Sequence, residues 1–427
     1  MKIIHISDPH LGKSLHGYSL REDQEHWCEE FLKVVDEEKP QAVLIAGDIY
    51  DRSTPAEEAV DLADWFFTEL SKRNTTVMAV SGNHDSGHKL AFLNGIIEKS
   101  GVYISGRIEK EIKHVTLKDE YGDVTFWLVP YFFPAAFDGV EGFEERPKSY
   151  DEAIKKYIEL QNIDFSKRNV IVAHQLVTAN GYKDDILGGS ETIVGGVGNI
   201  MADNFFDFDY TALGHIHRAQ RVVKDNIRYA GSPLCYHFDE LKFPNKGPVV
   251  VTLKEKNTDP EIKVVPIKPL HELMIVEGEF VDIMTARETG IYKKADENGK
   301  VKEYDLHDKY IQIILNDERV ESGAYDTLKL MVEAHGGKLM ACTHNKKRSV
   351  KFDENTSTTV AETKSVADVF GSFWEFTKGG QSLSEDEEKV INFLSDLVES
   401  EEKEKVISNA FADADALIEM LMKEENS

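Results

Sequence analysis

An α/β fold is what this 427-residue sequence predicts. Short apolar runs recur along the chain, helix-spaced apolar residues lie between them, and polar or glycine-containing loops close most runs. The runs at Ile3 to Ile6, Ala42 to Ala46, Val77 to Val80, Val170 to Ala173, Tyr210 to Leu213 and Val249 to Thr252 read as buried strands. Arg21 to Glu38 and Ala56 to Lys72 place apolar residues three and four apart, which gives each helix one face to bury.

After about residue 270 the pattern changes. Lys309 to Leu315 reads as a strand and Glu321 to His335 as a helix stopped by Gly336-Gly337. Asp353 to Lys364, rich in Thr, Ser and Glu, has the polarity of a linker. Beyond it, Val366 to Phe376 and Glu385 to Leu397 resemble amphipathic helices separated by Lys378-Gly379-Gly380. Three parts are expected: residues 1–268, a smaller α/β module over 269–352, and a linker with a helical tail over 353–427.

With 41% hydrophobic and 30% charged residues, the composition is that of a soluble globular protein. No run approaches the roughly 18 apolar residues of a membrane span, so a cytoplasmic protein without membrane partners is expected. Cys28, Cys235 and Cys342 show no CxxC spacing, which argues against a disulfide framework or a thiolate zinc site. A net charge of −27 excludes nucleic-acid binding by global electrostatics, because counterion release needs Lys and Arg at the phosphates. Part of that charge is segregated, since Gly371 to Ser427 sets five Lys against fifteen Asp or Glu.

Five short segments each end an apolar run with metal-type ligands: Asp8-Pro9-His10, Gly47-Asp48, Gly82-Asn83-His84-Asp85, Ala173-His174 and Gly214-His215-Ile216-His217. In an open α/β sheet, loops at the carboxyl ends of strands converge on one crevice. Carboxylate, imidazole and amide donors without thiolate suit Mn, Fe or Zn, and two such ions can share one carboxylate. His5, inside the first run, reads as a hydrogen-bonded core histidine. Gly12-Lys13-Ser14 mimics the end of a P-loop, but Ser7 stands where its first Gly is required, and nucleotide binding is rejected.

The order D-x-H, GD, GNHD, H, GHxH resembles the calcineurin-like metallophosphoesterase superfamily over roughly residues 1 to 253. Within it, His5 to Gly12, Ala46 to Arg52, Leu213 to Arg218 and Tyr229-Ala230-Gly231-Ser232-Pro233 are similar to the SbcD family of DNA repair nucleases. That family often has Trp where Pro9 stands here, between two retained ligands. The resemblance implies a four-layer αββα sandwich, a smaller α/β capping domain that directs DNA, and a C-terminal helical segment that binds a partner.

By motif, Asp8, His10, Asp48 and His217 would hold one metal and Asp48, Asn83, His174 and His215 the other, with Asp48 as the bridge. Manganese is the expected ion. His84 becomes the candidate to stabilise the transition state and protonate the leaving 3′ oxygen, with Asp85 orienting it, turn capping being the alternative for Asp85. Arg52 has the position of a phosphate-binding Arg, or of a helix-start salt bridge. Lys13, His16, Tyr18 and Arg21 are candidates for DNA backbone contacts, set against a solvated loop. So are Lys346, Lys347 and Arg348, the densest basic stretch, set against an ordinary strand end. Val366, Val369, Phe370, Phe373, Trp374 and Phe376 form an aromatic stripe suited to a partner groove, unless they complete this chain's own core.

Family likeness further implies a homodimer, a heterotetramer with a coiled-coil ATPase of the SbcC type, and exonuclease and endonuclease action on DNA ends and hairpins in repair, recombination and replication. Two other readings compete: a phosphatase or cyclic-nucleotide phosphodiesterase of the same superfamily, and a non-catalytic scaffold at DNA ends. The appended module and aromatic tail weigh against the first, the full ligand set and His84 against the second.

Overall fold

The computed structural model describes residues 1–179, 198–243, 246–295, 299–317, 319 and 323–345. Its principal strands are β1 (Lys2–Ile6), β2 (Ala42–Ala46), β3 (Thr76–Val80), β4 (Val102–Ser105), β5 (Lys113–Asp119), β6 (Gly122–Val129), β7 (Arg168–His174), β8 (Tyr210–Gly214), β9 (Gln220–Val222), β10 (Lys224–Tyr229), β11 (Val249–Thr252), β12 (Glu261–Val264), β13 (Leu273–Gly278), β14 (Tyr310–Leu315) and β15 (Lys338–His344). The longer helices are α1 (Arg21–Glu38), α2 (Glu57–Ser71), α3 (Tyr150–Glu159) and α4 (Ala324–Glu333). Every strand run and both helices expected in the first 268 residues are present, to within one or two residues at their ends.

Two six-stranded sheets stack on each other. One runs β12-β11-β1-β2-β3-β4, the other β9-β10-β8-β7-β6-β5. From β1 to β4 every pair is parallel, as are β6-β7, β7-β8 and β8-β10, while β11, β12, β5 and β9 add antiparallel edges.

Period-two alternation sorts the side chains of each strand into two layers. Ile3, Ala42, Leu44, Ala46, Met78 and Val80 face Phe126, Leu128, Val170, Val172 and Ala212 in the core between the sheets. Their neighbours Ile4, Ile6, Val43, Ile45, Val77 and Ala79 face outward under Trp27, Phe31 and Val35 of α1 and Leu62, Phe66 and Leu70 of α2. On the far side, Ile171, Ala173, Leu213 and Tyr229 pack with Ala153, Ile154 and Tyr157 of α3. The result is the four-layer αββα sandwich.

The inter-sheet layer is apolar apart from a few polar groups. His5 meets Tyr210 across it, Nδ1 to hydroxyl at 2.9 Å, and burial pushes this imidazole down to about 3, so it stays neutral as a core histidine should. At the β5 edge, Arg168 and Asp119 pair with side chains 3% and 0% exposed. Arg168 also donates to the carbonyls of Lys254 at 2.9 Å and Gly122 at 2.8 Å. Its guanidinium holds the Asp119 carboxyl well below the usual carboxylate range. A depressed carboxyl contributes stability above its unfolded value of about 4 and loses it as pH falls toward the folded value. Arg168→Met removes the strongest partner of a buried carboxylate that keeps the Met1 ammonium at 2.6 Å and the Tyr121 N–H at 2.9 Å, and is therefore expected to cost about 3 kcal/mol at pH 7, with a gap to the wild type that narrows below about pH 4. Urea midpoints across pH measure both, and a gap independent of pH would contradict the pairing.

A third, three-stranded sheet runs β13-β14-β15, all parallel, with α4 between β14 and β15. Val276, Ile311, Ile313, Leu328, Val332 and Leu339 form its own core. Helix α4 starts at Ala324, after Gly323 in the left-handed region, and the chain leaves it through Gly336 at φ +77°, the expected stop. Tyr310 and Met340 on this sheet also join the cluster under α1. Lys346, Lys347, Arg348 and the stripe from Val366 to Phe376 lie outside the described residues. Among the described residues, no helix is long and apolar enough to cross a membrane.

Candidate metal centre

The seven ligand candidates all leave the carboxyl ends of parallel strands. Asp8 and His10 follow β1, Asp48 follows β2, Asn83 follows β3, His174 closes β7, and His215 and His217 follow β8. The first two loops are zipped together by main-chain bonds, Asp8 N–H to Gly47 O at 3.0 Å and His10 N–H to Asp48 O at 2.9 Å. Asp8, His10, Asp48 and His215 all carry positive φ, at 54°, 43°, 49° and 97°. Four non-glycine residues in that region within one crevice mark strain held at a functional site. Glycines make room for it: a Cβ on Gly47 would sit 2.2 Å from the ring of His174, and one on Gly82 2.1 Å from the carboxylate of Asp48.

Two sets of candidate ligands meet at Asp48. On one side, the Nε2 atoms of His10 and His217 face each other at 3.2 Å, and His10 Nε2 lies 3.6 Å from Asp48 Oδ2. Donor atoms of Asp8, His10 and His217 lie within 4.8 Å of one another. On the other side, His174 Nε2 is 3.3 Å from Asp48 Oδ2 and 3.0 Å from Asn83 Oδ1, which is 3.1 Å from His215 Nδ1. Asp8, Asp48 and His174 form a second close group, and His10, Asp48 and His84 a third. Imidazole nitrogens aimed at each other at this spacing are what ligands sharing one ion would show.

Electrostatics agree with a cation site. Burial works against charge on Asp48, yet His174 and the other imidazoles hold its carboxyl well below the usual range. Burial also opposes an imidazolium at His174, but Asp48 and Asp8 outweigh it and lift His174 to about 10. Burial, with His174 nearby, lowers His215 to about 3, and burial keeps His10 well below its ordinary value. Asp48 and Asp8 thus draw positive charge to this point. Two carboxylates, four imidazoles and an amide fit divalent ions of the Mn, Fe or Zn type.

Outer contacts fix the ring orientations. His174 Nδ1 donates to Ala46 O at 2.7 Å, and His217 Nδ1 faces Glu240 Oε1 at 3.4 Å. Burial resists charge on Glu240, but His217 and Lys246 hold it down to about 2, and Lys246 is itself buried with Nζ 2.7 Å from Glu240. Glu240 and Lys246 escape a reading of the sequence because no metal-ligand pattern surrounds them. Gly231-Ser232-Pro233 just upstream was the available signal, since Ser232 Oγ accepts from Lys246 Nζ at 2.7 Å.

His84 is exposed, with its ring edge-on to His10 at 4.8 Å between centroids. The expected partner Asp85 is engaged elsewhere. Its carboxylate accepts the main-chain N–H groups of Gly82, Ile49 and Tyr50 at 2.9–3.0 Å, so it staples two ligand loops together, the capping alternative. Burial and then Asp48 push its carboxyl up to about 6. His84 Nδ1 instead donates to the carbonyl of Asp51 at 2.9 Å, which leaves Nε2 for other work.

Among the candidate DNA contacts, Arg52 is exposed with only a 3.7 Å approach to Asp51, and His16 is exposed beside Phe238. Lys13 turns inward to Asp51 at 2.7 Å, Arg21 is paired with Glu25 and Glu58, and Tyr18 is half-buried.

A double-sheet sandwich with this donor set at its strand ends has the make-up of a metal-dependent phosphoester hydrolase. Residues 1–219 match the model of the calcineurin-like phosphoesterases. The SbcD component of nuclease SbcCD from Staphylococcus saprophyticus is 32% identical over 287 residues, covering 66% of this chain and 73% of that protein. Its namesake from Staphylococcus epidermidis is 31% identical over 292 residues, covering 67% and 75%. The chain belongs to the calcineurin-like phosphoesterase family, as a member of the SbcD type.

Proposed function

We propose that this chain is the two-metal-dependent DNA nuclease component of a complex with a coiled-coil ATPase of the SbcC type. It acts as a 3′-to-5′ exonuclease and as an endonuclease on DNA ends and hairpins, in the cytoplasm, in double-strand break repair and recombination. The observation that carries this reading is the meeting of two ligand sets at one carboxylate, Asp48. Asp8, His10, Asp48 and His217 would hold one ion, and Asp48, Asn83, His174 and His215 the other, manganese for both. Such a pair supplies Lewis acidity at the phosphoryl oxygens and lowers the pKa of water.

The chain's own groups do the rest. His84, held by the Asp51 carbonyl, offers its ring to the leaving 3′ oxygen, and Arg52 receives a phosphate from outside. With a net charge of −27, DNA is held locally, by the ions, by Arg52 and by Lys346, Lys347 and Arg348. Residues 269–352 cap the site and direct DNA, and the stripe from Val366 to Phe376 docks on the ATPase. Phe92, Leu93 and Ile96, 71%, 51% and 62% exposed on neighbouring turns, favour a second copy of the chain as the cover of that face.

The test is hydrolysis by the purified chain with Mn2+, at its measured solution mass, of labelled single-stranded and hairpin DNA against bis(nitrophenyl) phosphate. A dimer that cuts both DNA substrates is the expected result. A protein that holds two ions, cleaves only the small diester and stays inert on DNA with the ATPase added would replace this reading by a small-substrate phosphodiesterase.

A further inference from the structure

Two adjacent residues of α1, each 2% exposed, point their polar groups into different parts of the molecule. Gln24 serves the first ligand loop. Its Nε2 donates to the carbonyls of Pro9 at 3.2 Å and His10 at 2.8 Å, and its Oε1 accepts the Gly12 N–H at 3.0 Å. Asp23 serves the third sheet. Its Oδ2 accepts the Tyr310 hydroxyl at 2.6 Å, and its Oδ1 accepts the His271 main-chain N–H at 3.0 Å and faces His271 Nδ1 at 3.1 Å. The rings of His271 and Tyr310 stack at 4.8 Å, which fixes the lead into β13 against the start of β14.

Successive helix residues project about 100° apart, so one rigid turn of α1 can grip both structures at once. Buried polar groups left without these partners would be costly, so neither grip is released without disturbing the helix between them. We propose that Asp23 and Gln24 form a link through which seating of the third sheet sets the loop that carries Asp8 and His10. Gln24 is then a positioning residue for the metal centre, acting through the His10 main chain. The consequence for metal rests on the reading of Asp8 and His10 as ligands, whereas the coupling itself does not.

Amide hydrogen exchange of the His10 to Lys13 segment in metal-free protein tests the coupling, and titration with Mn2+ tests the consequence. Tyr310→Phe, in a different sheet from every ligand but joined to their loop through Asp23, is expected to speed exchange of that segment about three- to tenfold, the worth of one hydrogen bond. Gln24→Ala is expected to speed it at least as much and to weaken Mn2+ binding about tenfold. The double variant should exchange no faster than Gln24→Ala alone, because both act through one link. Ile313→Val, which trims the core of the same sheet away from Asp23, should leave the segment unchanged. Wild-type exchange in Tyr310→Phe, multiplied effects in the double variant, or an equal response to Ile313→Val would each overturn the link. Coupled exchange in a wild type that takes up no Mn2+ would uphold the link and refute the metal reading.

Discussion

Asp48→Asn is expected to remove both ions from the centre at once and to lower DNA hydrolysis by at least about 10³-fold, some 4 kcal/mol of transition-state stabilisation. The reason lies in its position. One oxygen, Oδ2, is 3.6 Å from His10 Nε2 and 3.3 Å from His174 Nε2, so the same charge serves both ligand sets. The other oxygen accepts the His84 main-chain N–H at 2.8 Å. Asn keeps the size and one acceptor but loses the charge that draws cations in. By contrast, Asn83→Ala removes a neutral ligand from the second set alone and should spare the first ion. Metal content by elemental analysis, Mn2+ titration and DNA cleavage read the two variants side by side. Two ions and ordinary turnover in Asp48→Asn would mean that the bridge is elsewhere.

The centre was largely legible in the sequence because its chemistry is local to strand ends. Each candidate ligand follows an apolar run within a few residues, and Gly47, Gly82 and Gly214 mark where backbone or candidate-ligand side chains pass too close for a Cβ. Helix α1 was read to the residue, since Trp27, Cys28, Phe31, Leu32 and Val35 recur at helical spacing and Pro40 stops the run. Strands β4, β5, β6, β9, β10, β12, β13 and β15 were not found. In β5 only Val115 is buried, so its strand character comes from pairing with β6 and not from its own pattern. The network that orients the ligands was also hidden. Gln24, Asp51 and Glu240 act through a main-chain carbonyl or a ring nitrogen supplied by a residue remote in the chain, a relation that spacing does not encode. Asp85 shows the limit from the other side, because adjacency to His84 suggested an orienting role while its carboxylate is occupied by three backbone donors.

That rearrangement sharpens the expectation for His84. With Nδ1 donating to the Asp51 carbonyl, the ring is held in one orientation with Nε2 toward the site, so that the acid is the imidazolium, which keeps its Nδ1 proton on Asp51 and gives up the one on Nε2; the orienting group is a main-chain atom that no side-chain substitution removes. His84→Ala keeps the main-chain N–H that supports Asp48, so both ions should remain. DNA cleavage is expected to fall about 10²–10⁴-fold, the range for a lost general acid. A nitrophenyl diester, whose leaving group departs without a proton, should lose far less. Equal losses on both substrates would assign His84 to charge stabilisation at the phosphoryl group instead of proton donation, and loss of an ion would place it among the ligands, next to His10 and Asp48 in the third close group. Asp85→Asn should behave differently again. Its effect should appear as a looser junction between the Ile49-Tyr50 and Gly82 segments, with a lowered melting temperature, and with the ratio of DNA to diester turnover unchanged, because Asp85 holds backbone and not the His84 ring.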